Sequence, residues 1–162
     1  MADKKNENYV AIMIQSLEKK SRLLDRISEK NEEQGRLFGR QKRQDEELEA
    51  SILAKGKLID EIETLDNGFE KLYNRVKEEF ERDKERYSGD IVRMQSLIKE
   101  ITKKGARIES QEKRNHTLAT NYFAGTQEKI GQVRNTSRVA NLYKQNMRGT
   151  AYVESQFWDK KK

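Results

Sequence analysis

The 162-residue chain contains no cysteine and no proline. The first absence excludes a disulfide framework and any thiolate metal site, and it agrees with a reducing compartment. The second removes the commonest helix breaker. A single histidine, His116, has no cysteine or ordered carboxylate cluster near it, so no His/Cys ligand spacing can be written and an exposed, structural role is expected. Long apolar runs are also missing: "YVAIMI" near the start is far too short to span a bilayer, and no signal-peptide pattern is read. The expectation is a soluble, cytoplasmic protein with no stable membrane insertion.

No Walker loop, GxGxxG, GxSxG or HExxH is present. The many carboxylates fall on predicted solvated helix faces, where Glu/Lys pairs four residues apart are ordinary. Catalytic carboxylate pairs need a rigid cleft, which a thin bundle seldom provides. The chain is therefore expected to be neither an enzyme nor a cofactor or metal binder.

What is present is charge. Charged residues make up 38% of the chain and hydrophobic ones only 33%, too few for a compact globule of this length. Abundant Glu, Lys, Arg, Gln and Leu favour helix, and alternating Val/Ile/Thr strand runs are absent. The fold class expected is all-α: elongated, antiparallel, three long helices with a narrow core and a C-terminal amphipathic tail helix.

Periodicity places the helices. Val10, Met13, Leu17, Leu24 and Ile27 share one face of a first segment running roughly from Glu7 to Phe38. That face turns polar through "SEKNEEQGR", after which Gly39 offers a stop and Asp45 an N-cap for a hairpin. A second segment carries Leu48, Ile52, Ile59, Ile62, Phe69, Tyr73, Val76, Phe80 and Tyr87 at a period near three and a half, the spacing of a coiled-coil-like bundle. Gly56 and Gly68 interrupt it and predict a local irregularity. The run "YSGDI" at 87–91 is the expected second turn, followed by a stripe of Ile91, Met94, Ile98, Ile101 and Ile108 that weakens through "ESQEKRNHTLATNYF" to an end near Phe123.

From Ala124 onward the composition shifts to Gly, Thr, Asn and Ser, which predicts a flexible linker. The net charge of +6 is concentrated there: eight Lys/Arg against three Asp/Glu from Ala124 to Lys162, a net of +5. Val139, Leu142, Tyr143 and Met147 recur at helical spacing, in a helix too short to be stable alone. Trp158, the only tryptophan, lies near the end with Tyr152 and Phe157. The basic residues are spread out among acids, which argues against nucleic acid, and an apolar face of barely three turns would hold a membrane only weakly. The tail is expected to dock on the bundle, to bind a partner, or to alternate between the two.

"ILAKGKLIDEIETLDNGFEKLYNRV", Ile52 to Val76, resembles the central stretch of flagellar type III export chaperones of the FlgN type. The K-x-x-L-I-x-x-I-x-x-L rhythm of that family is matched by Lys55, Leu58, Ile59, Ile62 and Leu65, and "YKQNM" with "FWDKKK" suits its tail. The resemblance implies a cytoplasmic chaperone in bacterial flagellum assembly and type III secretion. Its partners would be the C-terminal helices of hook-filament junction proteins and the export gate. A chaperone for the filament cap or flagellin and a generic coiled-coil adaptor remain the alternatives, and a homodimer is left open. The residues expected to bind a partner helix in an apolar groove are Ile59, Ile62, Phe69, Tyr73, Val76, Ile98 and Ile101, together with Val139, Leu142, Tyr143 and Met147 of the tail.

Overall fold

The computed structural model describes residues 2–40, 44–124 and 138–146, all of them helical apart from short turns. Three long helices, α1 (Ala2–Gly39), α2 (Asp45–Arg82) and α3 (Ser88–Ala124), follow one another. A fourth, α4, spans 138–146. At 1.5 Å per residue the 38 residues of α1 extend about 57 Å. The all-α, three-long-helix architecture expected from periodicity is what the chain adopts.

Cross-helix contacts fix the directions. Tyr9 accepts a hydrogen bond from Arg75 and Lys20 pairs with Asp66, so α1 and α2 run antiparallel. Lys104 donates to Ser21 and Gln111 to Ser28, so α1 and α3 run parallel. Helix α1 packs against both of the others. No Cα of α2, however, lies within 8 Å of a Cα of α3, although packed helices with axes 8–10 Å apart approach more closely than that. The three helices therefore form a trough, with α1 as its floor and α2 and α3 as its walls.

The first turn lies where expected, after Gly39. Asp45 is not the N-cap: it opens the first turn of α2 with Glu46 and Glu47, where three carboxylates complement the helix dipole, while Gln44 holds the cap position. The second turn comes four residues earlier than "YSGDI", at residues 83–87. The side chain of Tyr87 explains the shift. It is 1% exposed, stacks edge-on against Phe80 at 5.2 Å and donates a 3.0 Å hydrogen bond to Glu79, which draws the turn into the core and leaves Ser88 to begin α3. Gly56 and Gly68 do not interrupt α2.

The core has two apolar clusters separated by polar residues. The larger joins Val10, Met13, Leu17, Leu24 and Ile27 of α1 to Ile59, Ile62 and Val76 of α2 and Met94, Ile101 and Ile108 of α3. The smaller gathers Leu37, Phe38, Leu48, Ile52 and Ala119 around Val139 and Tyr143 of α4. Between them lie buried Asn31, Gln34, Lys55, Gln111, Glu112 and Asn115. Asn31 donates to Gln111 at 3.2 Å, Asn115 donates to the Asn31 carbonyl at 2.8 Å, and the Lys55 ammonium donates to Glu112. Burial pulls the Lys55 pKa below its usual value, and the Glu112 carboxylate only partly opposes this. None of the described helices is long and apolar enough to cross a membrane.

Candidate helix-binding groove

Helix α4 lies in the trough at the end where α1 turns into α2. Its first residue, Arg138, pairs with Glu49 at 2.6 Å, and Tyr143 meets Phe38 edge-on at 5.4 Å. Phe38 in turn packs edge-on against Tyr122 and Phe123 of α3, which brings four aromatic rings together beside Val139 and Ile52. At its far end, Asn146 approaches Gly56 so closely that a Cβ there would sit 3.3 Å from the Asn146 amide nitrogen. The glycine read as a local irregularity is instead the place where α4 reaches the α2 backbone. Residue pairs 138/49 and 146/56 make α4 parallel to α2.

Burial of an apolar face explains why a helix of nine residues persists, since helices this short are marginal in water. Val139 and Tyr143 are buried, Leu142 is half-buried, and Met147 lies outside the described residues. Burial also raises the Tyr143 phenol pKa, as does the nearby Glu112 carboxylate. Residues 125–137, expected as a linker, lie outside the described residues, as do Tyr152, Phe157 and Trp158.

Toward the other end, where α2 turns into α3, the trough holds a groove of about 460 Å³. Met13 forms its floor. Phe69, Tyr73 and Phe80 line one wall, Ile91, Met94 and Ile98 the other, and Glu70, Asn74 and Gln95 supply a polar edge. Tyr73 is 46% exposed, which is unusual for a large aromatic on the apolar stripe of its helix. A row of aromatic and aliphatic side chains between two separated helices is the geometry that accepts an amphipathic helix, with anchors three, four and seven residues apart.

The residues expected from sequence to bind a partner separate into three groups. Phe69, Tyr73 and Ile98 come together in the groove. Ile59, Ile62, Val76 and Ile101 are buried in the bundle's own core, each 6% exposed or less, and reach no partner while the bundle is closed. Val139, Leu142 and Tyr143 belong to α4, which lies at the opposite end of the trough from Phe69 and Tyr73. Sequence reasoning did not single out Met13, Phe80, Ile91 or Met94 as groove residues. All four were on predicted apolar stripes, but periodicity does not tell which stripe members meet a neighbour and which border a gap.

Among the described residues no group of three or more His, Cys, Asp or Glu side chains could hold a metal ion. His116 is exposed on α3. The chemistry the groove offers is shape and apolar surface. Set against known proteins, the chain matches no family model, no curated protein and no solved structure.

Proposed function

We propose that this chain is a helix-binding chaperone of the flagellar export type, which holds the amphipathic C-terminal helix of a hook-filament junction protein in the groove between α2 and α3 and delivers it to the export gate. The observation that carries the proposal is the separation of α2 from α3. The two walls keep their backbones apart, meeting through long side chains such as Lys55 with Glu112 and Tyr122 with Asp45, and they present apolar side chains across the gap. Helix α4 already occupies one end of the same trough, so the walls accept a helix there. The resemblance of Ile52–Val76 to chaperones of the FlgN type supplies the class of client, and the function proposed is binding rather than catalysis.

Isothermal titration of the full chain with peptides from the C-terminal helices of junction proteins and of the filament cap tests the proposal. One-to-one binding at micromolar Kd or tighter, about 8 kcal/mol or more, is the expected result. Tyr73→Asp places a charge in the groove and should weaken that binding at least about tenfold, or 1.4 kcal/mol. No binding to any peptide, combined with a particle size that grows with concentration, would overturn the proposal in favour of a self-assembling coiled-coil adaptor.

A further inference from the structure

The lining of the groove repeats the seat of α4 three heptads along the trough. Leu48, Glu49 and Ile52 of α2 border α4, and 21 residues further on stand Phe69, Glu70 and Tyr73, which line the groove. Helices α1 and α3 run the other way, so there the same step subtracts 21. It carries Gln34 to Met13 on the floor, and Glu112, Asn115 and Ala119 to Ile91, Met94 and Ile98 on the far wall. The shift is about 31 Å at the helical rise. In helices packed with a seven-residue repeat, positions a whole number of heptads apart face the same way. Agreement on all three helices therefore means that the groove faces an incoming helix as the seat of α4 does.

The charges on the α2 lip carry over in a set order. Glu49 receives Arg138, the first residue of α4, at 2.6 Å. Its counterpart Glu70 is exposed, is the one charged side chain lining the groove, and makes no ion pair among the described residues. At the other end of α4, Asn146 meets Gly56, whose counterpart is the exposed Lys77, two turns beyond Glu70 on the same lip. A helix is stabilised by negative charge near its N-terminus and positive charge near its C-terminus. The order Glu70 then Lys77 thus suits a helix running parallel to α2, as α4 does.

What changes between the two places is polarity. In α4, Tyr143 lies near Glu112 and Asn146 against the backbone next to Lys55. The counterparts of Lys55, Glu112 and Asn115 at the groove end are Val76, Ile91 and Met94. A helix with the sequence of α4 would leave a phenol hydroxyl and an amide against those apolar side chains, where neither finds a partner. The groove therefore disfavours α4 itself and suits a helix that is apolar at those two positions.

We infer that the groove takes a partner helix that runs parallel to α2, sets a basic residue beside Glu70 and carries apolar side chains one, five and eight positions after it. Glu70 is the residue that selects this order. The inference rests on the reading of the groove as a helix-binding site and adds the direction and the side-chain pattern of what binds there. Arg138, Val139, Tyr143 and Asn146 are the template, with apolar residues in place of the last two.

The probe is a peptide of residues 138–146 carrying Tyr143→Leu and Asn146→Leu, held helical by a staple between its exposed positions 141 and 145, and titrated into the full chain. It should bind one-to-one and at least about tenfold more tightly than the stapled peptide of unaltered sequence, which keeps its polar groups. Tyr73→Asp in the chain should remove most of that binding. Glu70→Lys, at an exposed position, should leave the circular dichroism unchanged, weaken the peptide about threefold, and be rescued by Arg138→Glu in the peptide.

Binding that Tyr73→Asp leaves intact overturns the inference, because the peptide has then taken the place of α4. A response to Lys77→Glu without one to Glu70→Lys also overturns it, because the helix then runs the other way. If junction-protein peptides bind but neither they nor the probe respond to Glu70→Lys, the inference fails and the proposed function stands. If the probe binds with the Glu70 and Arg138 coupling while no junction-protein or cap peptide binds, the inference stands and the flagellar client fails. Binding by no peptide overturns both.

Discussion

The two ends of the trough between α2 and α3 have the same walls and different contents. At one end α4 buries Val139 and Tyr143 against Phe38, Leu48, Ile52 and Ala119. At the other, Tyr73 remains nearly half exposed beside a groove of about 460 Å³. The walls do not lean together where α4 ends, because α1 holds both of them through its own buried face and the buried Lys20–Asp66 pair. A trough fixed by its floor thus keeps its walls apart along its length, and α4 fills one end of it.

Aromatic truncation should give the sharpest contrast between the ends. Tyr143→Ala removes a buried ring that meets Phe38 and should cost about 3–5 kcal/mol in urea unfolding, the range for large aromatic truncations in cores. Tyr73→Ala should change stability by about 0.5 kcal/mol or less, as substitutions at exposed sites do. Equal costs would mean that the two ends are equally filled.

Alkaline pH probes both ends together. Burial lifts the Tyr87 phenol, which also donates to Glu79, to about 12, and lifts Tyr143 as well. A phenol whose pKa is raised on folding contributes stability that is complete below its unfolded value near 10 and is lost as pH rises through the folded value. Stability should therefore fall from pH 10 through 12, and Tyr87→Phe should flatten that fall. Lys55 acts with the opposite sign. Its lowered pKa means that the cost of burying the ammonium is present at neutral pH and fades as pH approaches 10.5. Thermal melts across this range, with tyrosinate absorbance followed in parallel, would resolve the two trends.

The smallest effect expected separates two glycines of one helix. Gly68→Ala meets nothing within 4 Å and should stabilise α2 by about 0.5–1 kcal/mol, the difference in helix propensity. Gly56→Ala places a methyl 3.3 Å from the Asn146 amide nitrogen and should forfeit part of that gain, since the buried Asn146 side chain must give by a few tenths of an ångström to admit it. Identical melting shifts for the two variants would show that α4 exerts no pressure on α2.

Much of this was legible in the sequence. Absent proline, sustained periodicity and Gly39 were enough to place three long helices and the first turn to within a few residues. The second turn was misplaced because Ser88, Gly89 and Asp90 carry strong local turn chemistry, which the burial of Tyr87 overrides. The stripes of α1, α2 and α3 marked the core, but stripe membership is a property of one helix and the groove is a property of three. Phe69, Tyr73 and Ile98 could be named as binders only together with Ile59, Ile62, Val76 and Ile101, which the core absorbs. The polar stretches in α1 and α3 were read as weakenings of two separate stripes. Because those helices run parallel, the stretches lie at one level, and Asn31 faces Gln111 and Asn115.

That shared level bears on alignment. Helices zipped by Leu and Ile at nearly regular spacing can in principle slide past one another by a heptad and find equivalent apolar partners. A slide here would carry the Lys55 ammonium away from Glu112 and Asn115 away from the Asn31 carbonyl, stranding a charge and amides in a dry interior. The buried polar residues thus act as a detent: they hold three near-repetitive rods in one phase, and so they fix where along the bundle the trough begins and how much of it α4 leaves for another helix.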